Sequence, residues 1–195
     1  MAHKSGFTIV HLVVVLAMVA LIAALAIPAI QRSRTQSDLI MCQDHLRRIG
    51  VSLTQYGRFS AGCLPVSATI DGAQSELIAD LSASHCLGDP RNYYCPAQRQ
   101  SKYGYTDDHF KAGIIGYFYY SAVSPGAADL SKFLRDTVAW PRKMNRTMDK
   151  RTWVMSDIWL SAEPTAHVGY RKGVNYLMLD GSVAFIGESP RQAFH

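Results

Sequence analysis

Formal charge is missing from the first long stretch of this chain, and that absence divides the molecule in two. From Phe7 to Ile30 there are 24 residues without Asp, Glu, Lys or Arg; Thr8 and His11 are the clearly polar side chains. Glycine and proline are then missing from residues 29–49, so nothing there stops a helix. Cys-x-x-Cys is missing too, which argues against a zinc ribbon or a thioredoxin-like motif. There is no Gly-x-Ser-x-Gly, no His-Glu-x-x-His and no phosphate-binding glycine loop, and His167 with Asp180 makes no hydrolase signature. The expectation is a protein that is not an enzyme. Strong charge is missing from the rest: the net +5 divides into +3 over residues 1–56 and +2 over residues 57–195. So balanced a body gives no case for a nucleic-acid partner.

What is present begins with that apolar run. As a helix it is roughly 36 Å long, enough to cross a ~30 Å hydrocarbon core with some tilt. Past it, Leu39, Cys42, Leu46, Ile49, Leu53 and Tyr56 recur at alternating steps of three and four, lining one face of a helix. Anchor and stripe therefore read as one helix from about Thr8 to Tyr56, roughly 70 Å long. Pro28 should kink it rather than end it, and Gly50 is a local weakness inside the stripe. The first half is apolar all round, suited to lipid or to like helices; the second is one-sided, suited to a globular partner.

From Gly57 the pattern changes to loops and short elements. Glu76–Leu81 suggests a short helix, Ile114–Ser121 a strand, Ala127–Trp140 a further helix and Thr152–Asp157 a strand. Val174–Leu179 and Ser182–Ile186 flank Asp180-Gly181, a two-residue link suited to a type I′ hairpin turn. The expected fold is α+β: a long N-terminal helix packed on an antiparallel sheet. The patterning divides the chain into an apolar helix over 7–30 long enough to cross a membrane, its amphipathic continuation over 31–56 and a globular head over 57–195.

Two plain readings of the N-terminus exist. A secretory signal would use Lys4 and a cleavage site at Ala24-Leu25-Ala26, although its core would exceed the usual ~7–15 residues. A simple anchor would leave Met1 in place, its orientation unsettled because Lys4 precedes the span and Arg32 and Arg34 follow it. Either would make the chain a membrane-tethered or secreted periplasmic binding module.

Lys4-Ser5-Gly6-Phe7-Thr8-Ile9-Val10 resembles the cleavage and methylation signature of type IV prepilins and type II secretion pseudopilins. The resemblance implies a leader over 1–6, a cut between Gly6 and Phe7 by a prepilin peptidase, methylation of the Phe7 amine, and a transmembrane and assembly helix over 7–30. Pro28 falls where that family's helix carries its proline. The fifth residue of the mature chain, commonly a glutamate that pairs with a neighbour's terminal amine, is here His11. A neutral imidazole can accept a hydrogen bond from an ammonium but cannot neutralise it. In the family, a subunit lacking this glutamate resembles a minor or tip component. The implied partners are the peptidase, other pilin or pseudopilin subunits packed along the helix, and an inner-membrane assembly platform. The implied location is the inner membrane, single-pass, with the head in the periplasm or carried out on a filament.

Cys42, Cys63, Cys86 and Cys95 all lie beyond the apolar run, and an even count there suggests one or two disulfides. Sequence alone leaves three pairings open. Cys42-Gln-Asp-His45-Leu, Cys95-Pro96 and Asn175–Val183 around Asp180-Gly181, with His167 upstream, resemble motifs of a large pilin-like group. That likeness implies Cys42 with Cys95, leaving Cys63 with Cys86; a helix-to-head bond of this kind is worth ~3–4 kcal/mol in the chain-entropy model. No metal or other cofactor is expected. Calcium is the one ion the resemblance raises, with Asp157, Glu163 and Asp180 as oxygen donors, but no EF-hand-like spacing supports it. Asp107-Asp108-His109 reads as surface charge, since adjacent residues rarely converge on one ion. Residues 142–151 carry five basic side chains and Asp149 and read as a solvated loop. Replacing Arg142, Lys143 and Arg146 together with Ala should leave filament incorporation intact, as scored in sheared surface fractions; a folded variant that no longer incorporates would refute this.

Overall fold

Helix α1 runs unbroken from Ile9 to Phe59, 51 residues and roughly 75 Å. The computed structural model describes residues 9–65, 73–99, 101, 103–119, 153–158, 167 and 173–187. The expected leader with Gly6 and Phe7, the helix expected over 127–140, the basic stretch 142–151 and Glu163 lie outside the described residues. Pro28 sits within α1 without ending it. The helix stops three residues later than the stripe, where Ala61 and Gly62 take φ of 53° and 81° and the Gly62 amide closes on the Gly57 carbonyl at 2.7 Å. Gly57, expected to open a loop, is the last buried position of the helix instead.

The two halves of α1 differ as the periodicity predicts. None of residues 9–38 is buried; Ile9 is 81% and Leu25 70% exposed, whereas Leu46 is 0% and Ile49 1% exposed. The buried face is Leu39, Cys42, Leu46, Ile49, Gly50, Leu53 and Gly57, with Tyr56 packed at its edge. Burying each Leu or Ile is worth about 1.5–3 kcal/mol. Gly50 proves to be a close approach rather than a weak spot. A Cβ there would stand 3.0 Å from Leu177 Cδ1, so glycine lets the helix settle against the sheet.

That sheet, among the described residues, has four antiparallel strands in the order β1 (Tyr117–Tyr119), β2 (Trp153–Asp157), β3 (Val174–Met178) and β4 (Val183–Ile186). Register places Tyr119, Met155, Leu177 and Val183 in one cross-strand row. Tyr117 of β1 lies opposite Asp157 and Phe185 of β4 opposite Asn175, so Asp157 and Asn175 head a second row on the same face. Leu177 meets Gly50 and Asp157 meets Cys42, so this face is the one turned to α1.

Helix α2 (Ala73–Ala83) adds Leu77 and Leu81 to the core and fastens to β1 through Gln74 Nε2, which donates to the Tyr117 carbonyl at 2.9 Å. Between α2 and the sheet come 3₁₀ turns at Pro90–Tyr93, capped by Asp89, and at Pro96–Gln98, then α3 (Asp107–Lys111), capped by Thr106. Asp107 and Asp108 open α3, and His109 bonds back to the Gly104 carbonyl at 3.0 Å, so this triplet stays a local surface feature.

The hairpin forms where expected with a different turn. Residues 179–181 make a three-residue loop: the Gly181 amide donates to the Met178 carbonyl at 2.9 Å and the Met178 amide to the Ser182 carbonyl at 2.8 Å. Gly181 has φ +83° and Asp180 is not in the left-handed region, whereas a type I′ turn would need both. The Asp180 carboxylate accepts from the Ser182 amide at 2.9 Å and hydroxyl at 2.6 Å, which favours this tighter local geometry. A Cβ on Gly181 would meet nothing within 4 Å, so the cost of substitution is conformational. Gly181→Ala should therefore lose about 1 kcal/mol and Gly181→Asn clearly less. Urea midpoints of the full chain in detergent micelles check this, and equal losses would contradict it.

Candidate functional site

Where the rod first meets the head, an otherwise apolar interface turns polar. Cys42 lies one turn beyond Leu39, the first buried residue of α1, and is itself wholly buried. Its thiol donates to Asp157 Oδ1 at 2.8 Å and lies 3.2 Å from the Tyr117 hydroxyl. Asp157 ends β2 and is wholly buried; its Oδ2 receives the Asn175 amide at 2.8 Å and the Asn175 side-chain Nδ2 at 2.9 Å. Gln43, the next residue of α1, donates to Asn175 Oδ1 at 3.1 Å. Helix and sheet are thus tied through one continuous polar network.

His167 enters from an isolated antiparallel bridge to Gly173. Glycine is required there, because a Cβ would stand 2.4 Å from the Ile186 carbonyl oxygen and 2.4 Å from Phe185 Cζ. The imidazole Nε2 lies 3.2 Å from Asp157 Oδ2, 3.0 Å from Asn175 Nδ2 and 3.7 Å from Cys95 Sγ. Cys95 comes from the segment between the two 3₁₀ turns, where Pro96 starts the second. Cys42, Cys95, Asp157 and His167 bring one sulfur, nitrogen or oxygen atom each within 4.8 Å of the others, all buried. His167 Nδ1 has no hydrogen-bond partner among the described residues.

Electrostatics here are set by burial and by mutual contact. Burial pushes the Cys42 thiol well up, with contacts to Cys95 and Asp157 adding to it. Burial also pushes Tyr117 well up. Burial raises Cys95 as well, but hydrogen bonds with Cys42 and His167 outweigh it and hold that thiol below its usual range. For His167 burial pulls down, while hydrogen bonds to Asp157 and Cys95 overcome it and lift the imidazole to about 10. Among the described residues no Lys or Arg pairs with Asp157. Asp38 and Arg99 form an ion pair of their own, with Arg99 exposed.

One nitrogen is asked to do two incompatible things. Facing Asp157 Oδ2, His167 Nε2 needs a proton; facing Asn175 Nδ2, it needs a lone pair. Turning the Asn175 amide over does not help, since its oxygen would then face the Asp157 carboxylate.

The two expected disulfides are absent: all four cysteines are free thiols. Cys42 and Cys95 do face each other, but the Cys42 sulfur is held by Asp157 and the Cys95 sulfur lies beside His167. Cys86 donates to the Ser84 carbonyl at 3.4 Å, and Cys63 is half-buried. The calcium donors do not act together either; Asp157 is sealed in the core while Asp180 is exposed and holds its own turn. His45 Nδ1 donates to the Tyr94 carbonyl, 3.0 Å away, outside the cluster. His11 and Pro28 lie in the stretch of α1 that carries no buried residue.

Tyr117 and Asn175 were not singled out for this role by sequence, and Asp157 only as an oxygen donor for calcium. The signal that could have found them was their motif context: Cys95-Pro96, His167 ahead of Asp180-Gly181, and an asparagine at the start of an apolar strand.

Comparison with protein-family models, curated proteins and solved structures finds no match for this chain.

Asn175→Ala should cost about 2–3 kcal/mol, because it strips a donor from a buried carboxylate, while Gln43→Ala at the half-buried end should cost less than about 1 kcal/mol. Denaturation midpoints in micelles measure both; a reversed order would mean the network does not hold the joint.

Proposed function

We propose that this chain is a pilin-like structural subunit of a type II secretion pseudopilus or type IV pilus-like filament. The observation that carries the proposal is the asymmetry of α1. Its first twenty-two residues, Ile9–Ile30, are apolar apart from His11, and none of residues 9–38 is buried, while residues 39–57 are buried against the head on one face. A helix that long and apolar can cross a bilayer. A simple tether would serve with a short span and a loop. A continuous rod fixed rigidly to its head instead suits a subunit whose helix leaves lipid and packs beside others, with association driven by van der Waals contact along the apolar surface.

The sequence Gly6-Phe7 supports processing by a prepilin peptidase and methylation of the new amine. His11 in place of glutamate supports a minor or tip position, where no further subunit presents its terminal ammonium to be neutralised. The precursor is then a single-pass inner-membrane protein with its head in the periplasm, awaiting partner subunits and an assembly platform. The chain itself catalyses nothing; its contribution is shape and adhesion.

Sequencing and mass analysis of the mature N-terminus test this. A chain beginning at methylated Phe7 is expected, and Gly6→Val should leave the leader attached. A product beginning at Ile27 would identify a signal peptide and one retaining Met1 a plain anchor, and either result would replace the filament role with a tethered or secreted binding module.

A further inference from the structure

The conflict at His167 and the convergence around it have a common resolution. We infer that Cys42, Cys95, Asp157 and His167 form a buried tetrahedral zinc site that locks α1 to the sheet. The donor set is two thiols, one imidazole and one carboxylate, the mixture that four-coordinate zinc accepts, and the four atoms lie within 4.8 Å of one another. Around a tetrahedral zinc, with bonds of about 2.0 Å to nitrogen and oxygen and about 2.3 Å to sulfur, donors stand about 3.3–3.8 Å apart. His167 Nε2 to Asp157 Oδ2 is 3.2 Å, and Cys95 Sγ to His167 Nε2 is 3.7 Å. Cys42 Sγ meets the other carboxylate oxygen, donating to Asp157 Oδ1 at 2.8 Å. Zinc on Oδ2 would take the place of that thiol proton, and Cys42 Sγ would leave Oδ1 for the metal.

Charge and hydrogen bonding agree with this. A wholly buried carboxylate and two buried thiols have no Lys or Arg partner among the described residues. A divalent cation neutralises two of the three negative charges that this donor set acquires on ionising; binding releases the protons of both thiols and the one that His167 Nε2 holds toward Asp157. It also ends the double demand on His167 Nε2, whose lone pair and a neighbouring carboxylate lone pair both turn to the metal. Asn175, giving two hydrogen bonds to Asp157 Oδ2, is already placed as the outer partner that orients the carboxylate. The missing Cys-x-x-Cys excludes a local zinc motif but says nothing of ligands from four separate segments, spaced 53, 62 and 10 residues apart. This inference does not rest on the filament role, since a tethered binding module would need the same joint.

The test uses the full chain in detergent micelles, purified under reducing conditions without chelator. Elemental analysis should find about one zinc ion per chain, and cobalt(II) added to metal-stripped protein should give tetrahedral d–d bands with thiolate-to-cobalt charge transfer. Zinc should raise the thermal midpoint of the wild type. Cys42→Ser and Cys95→Ser should each weaken binding by more than tenfold, Asn175→Ala by about tenfold, and Cys63→Ser should leave it unchanged. The wild-type cobalt spectrum needs no variant to fold. Folded wild-type protein that binds no stoichiometric zinc, a cobalt spectrum without thiolate bands, or a Cys42–Cys95 disulfide formed in the presence of zinc would overturn the site.

Discussion

The docking of residues 39–57 of α1 on the sheet is the constraint on which the rest of the molecule depends. A helix of this length cannot be held by propensity alone, and among the described residues none of 9–38 is buried. The second half supplies the only anchorage the described residues give it: Leu46, Ile49 and Leu53 seated among Leu77, Leu81, Tyr117 and Leu177. Whatever load or partner the exposed half meets, it is passed to the head through about five turns of helix. A loose joint there would convert the rod into a flexible tether and remove any reason for its length.

Apolar contact by itself would leave that joint poorly specified. A leucine stripe can slide by one helical turn and still bury most of its area, because neighbouring positions on the face are chemically alike. The polar row prevents the slide. If α1 moved by one turn, Leu39 or Leu46 would stand where Cys42 now donates to Asp157, and a wholly buried carboxylate would lose a partner. Leaving such a group unsatisfied costs several kcal/mol, more than a small shift in apolar contact can recover. Gly50 sets the second coordinate, since an added Cβ there would stand 3.0 Å from Leu177 Cδ1. Cysteine and glycine, the two smallest residues of the stripe's centre, thus fix how the helix sits.

Local chemistry explains what the sequence could show. The 3–4 spacing from Leu39 to Leu53 marked the docked face residue by residue, and the charge-free run marked the undocked one. The α+β arrangement, the strand ending at Asp157 and the hairpin were readable for the same reason: each is set by neighbours within a few positions. The turn type was not, because Asp180 had to choose between its own side-chain bonds to Ser182 and a positive φ, and nothing in the dipeptide decides that. Nor was the cluster, whose members are separated by 53, 62 and 10 residues and meet through register between strands. Pairing cysteines by family likeness brought Cys42 and Cys95 to the right place with the wrong bond, since the likeness carries proximity and not the presence of Asp157 and His167 beside them.

The same cluster bears on how the molecule reaches its final form. Helix α1 is made first and has to wait for Cys95, Asp157, His167 and Asn175 before its polar contacts exist, so its docked face is apolar and unpaired while the head is still being synthesised. Under the proposed filament role, lipid would hold the exposed half during that interval and keep the apolar rod from collapsing onto the unfinished head. Completion of β2 and β3 then closes the network around Asp157 and commits the register. Order of synthesis and strength of contact therefore run in the same direction: the non-specific apolar surface comes first, and the groups that discriminate between registers come last.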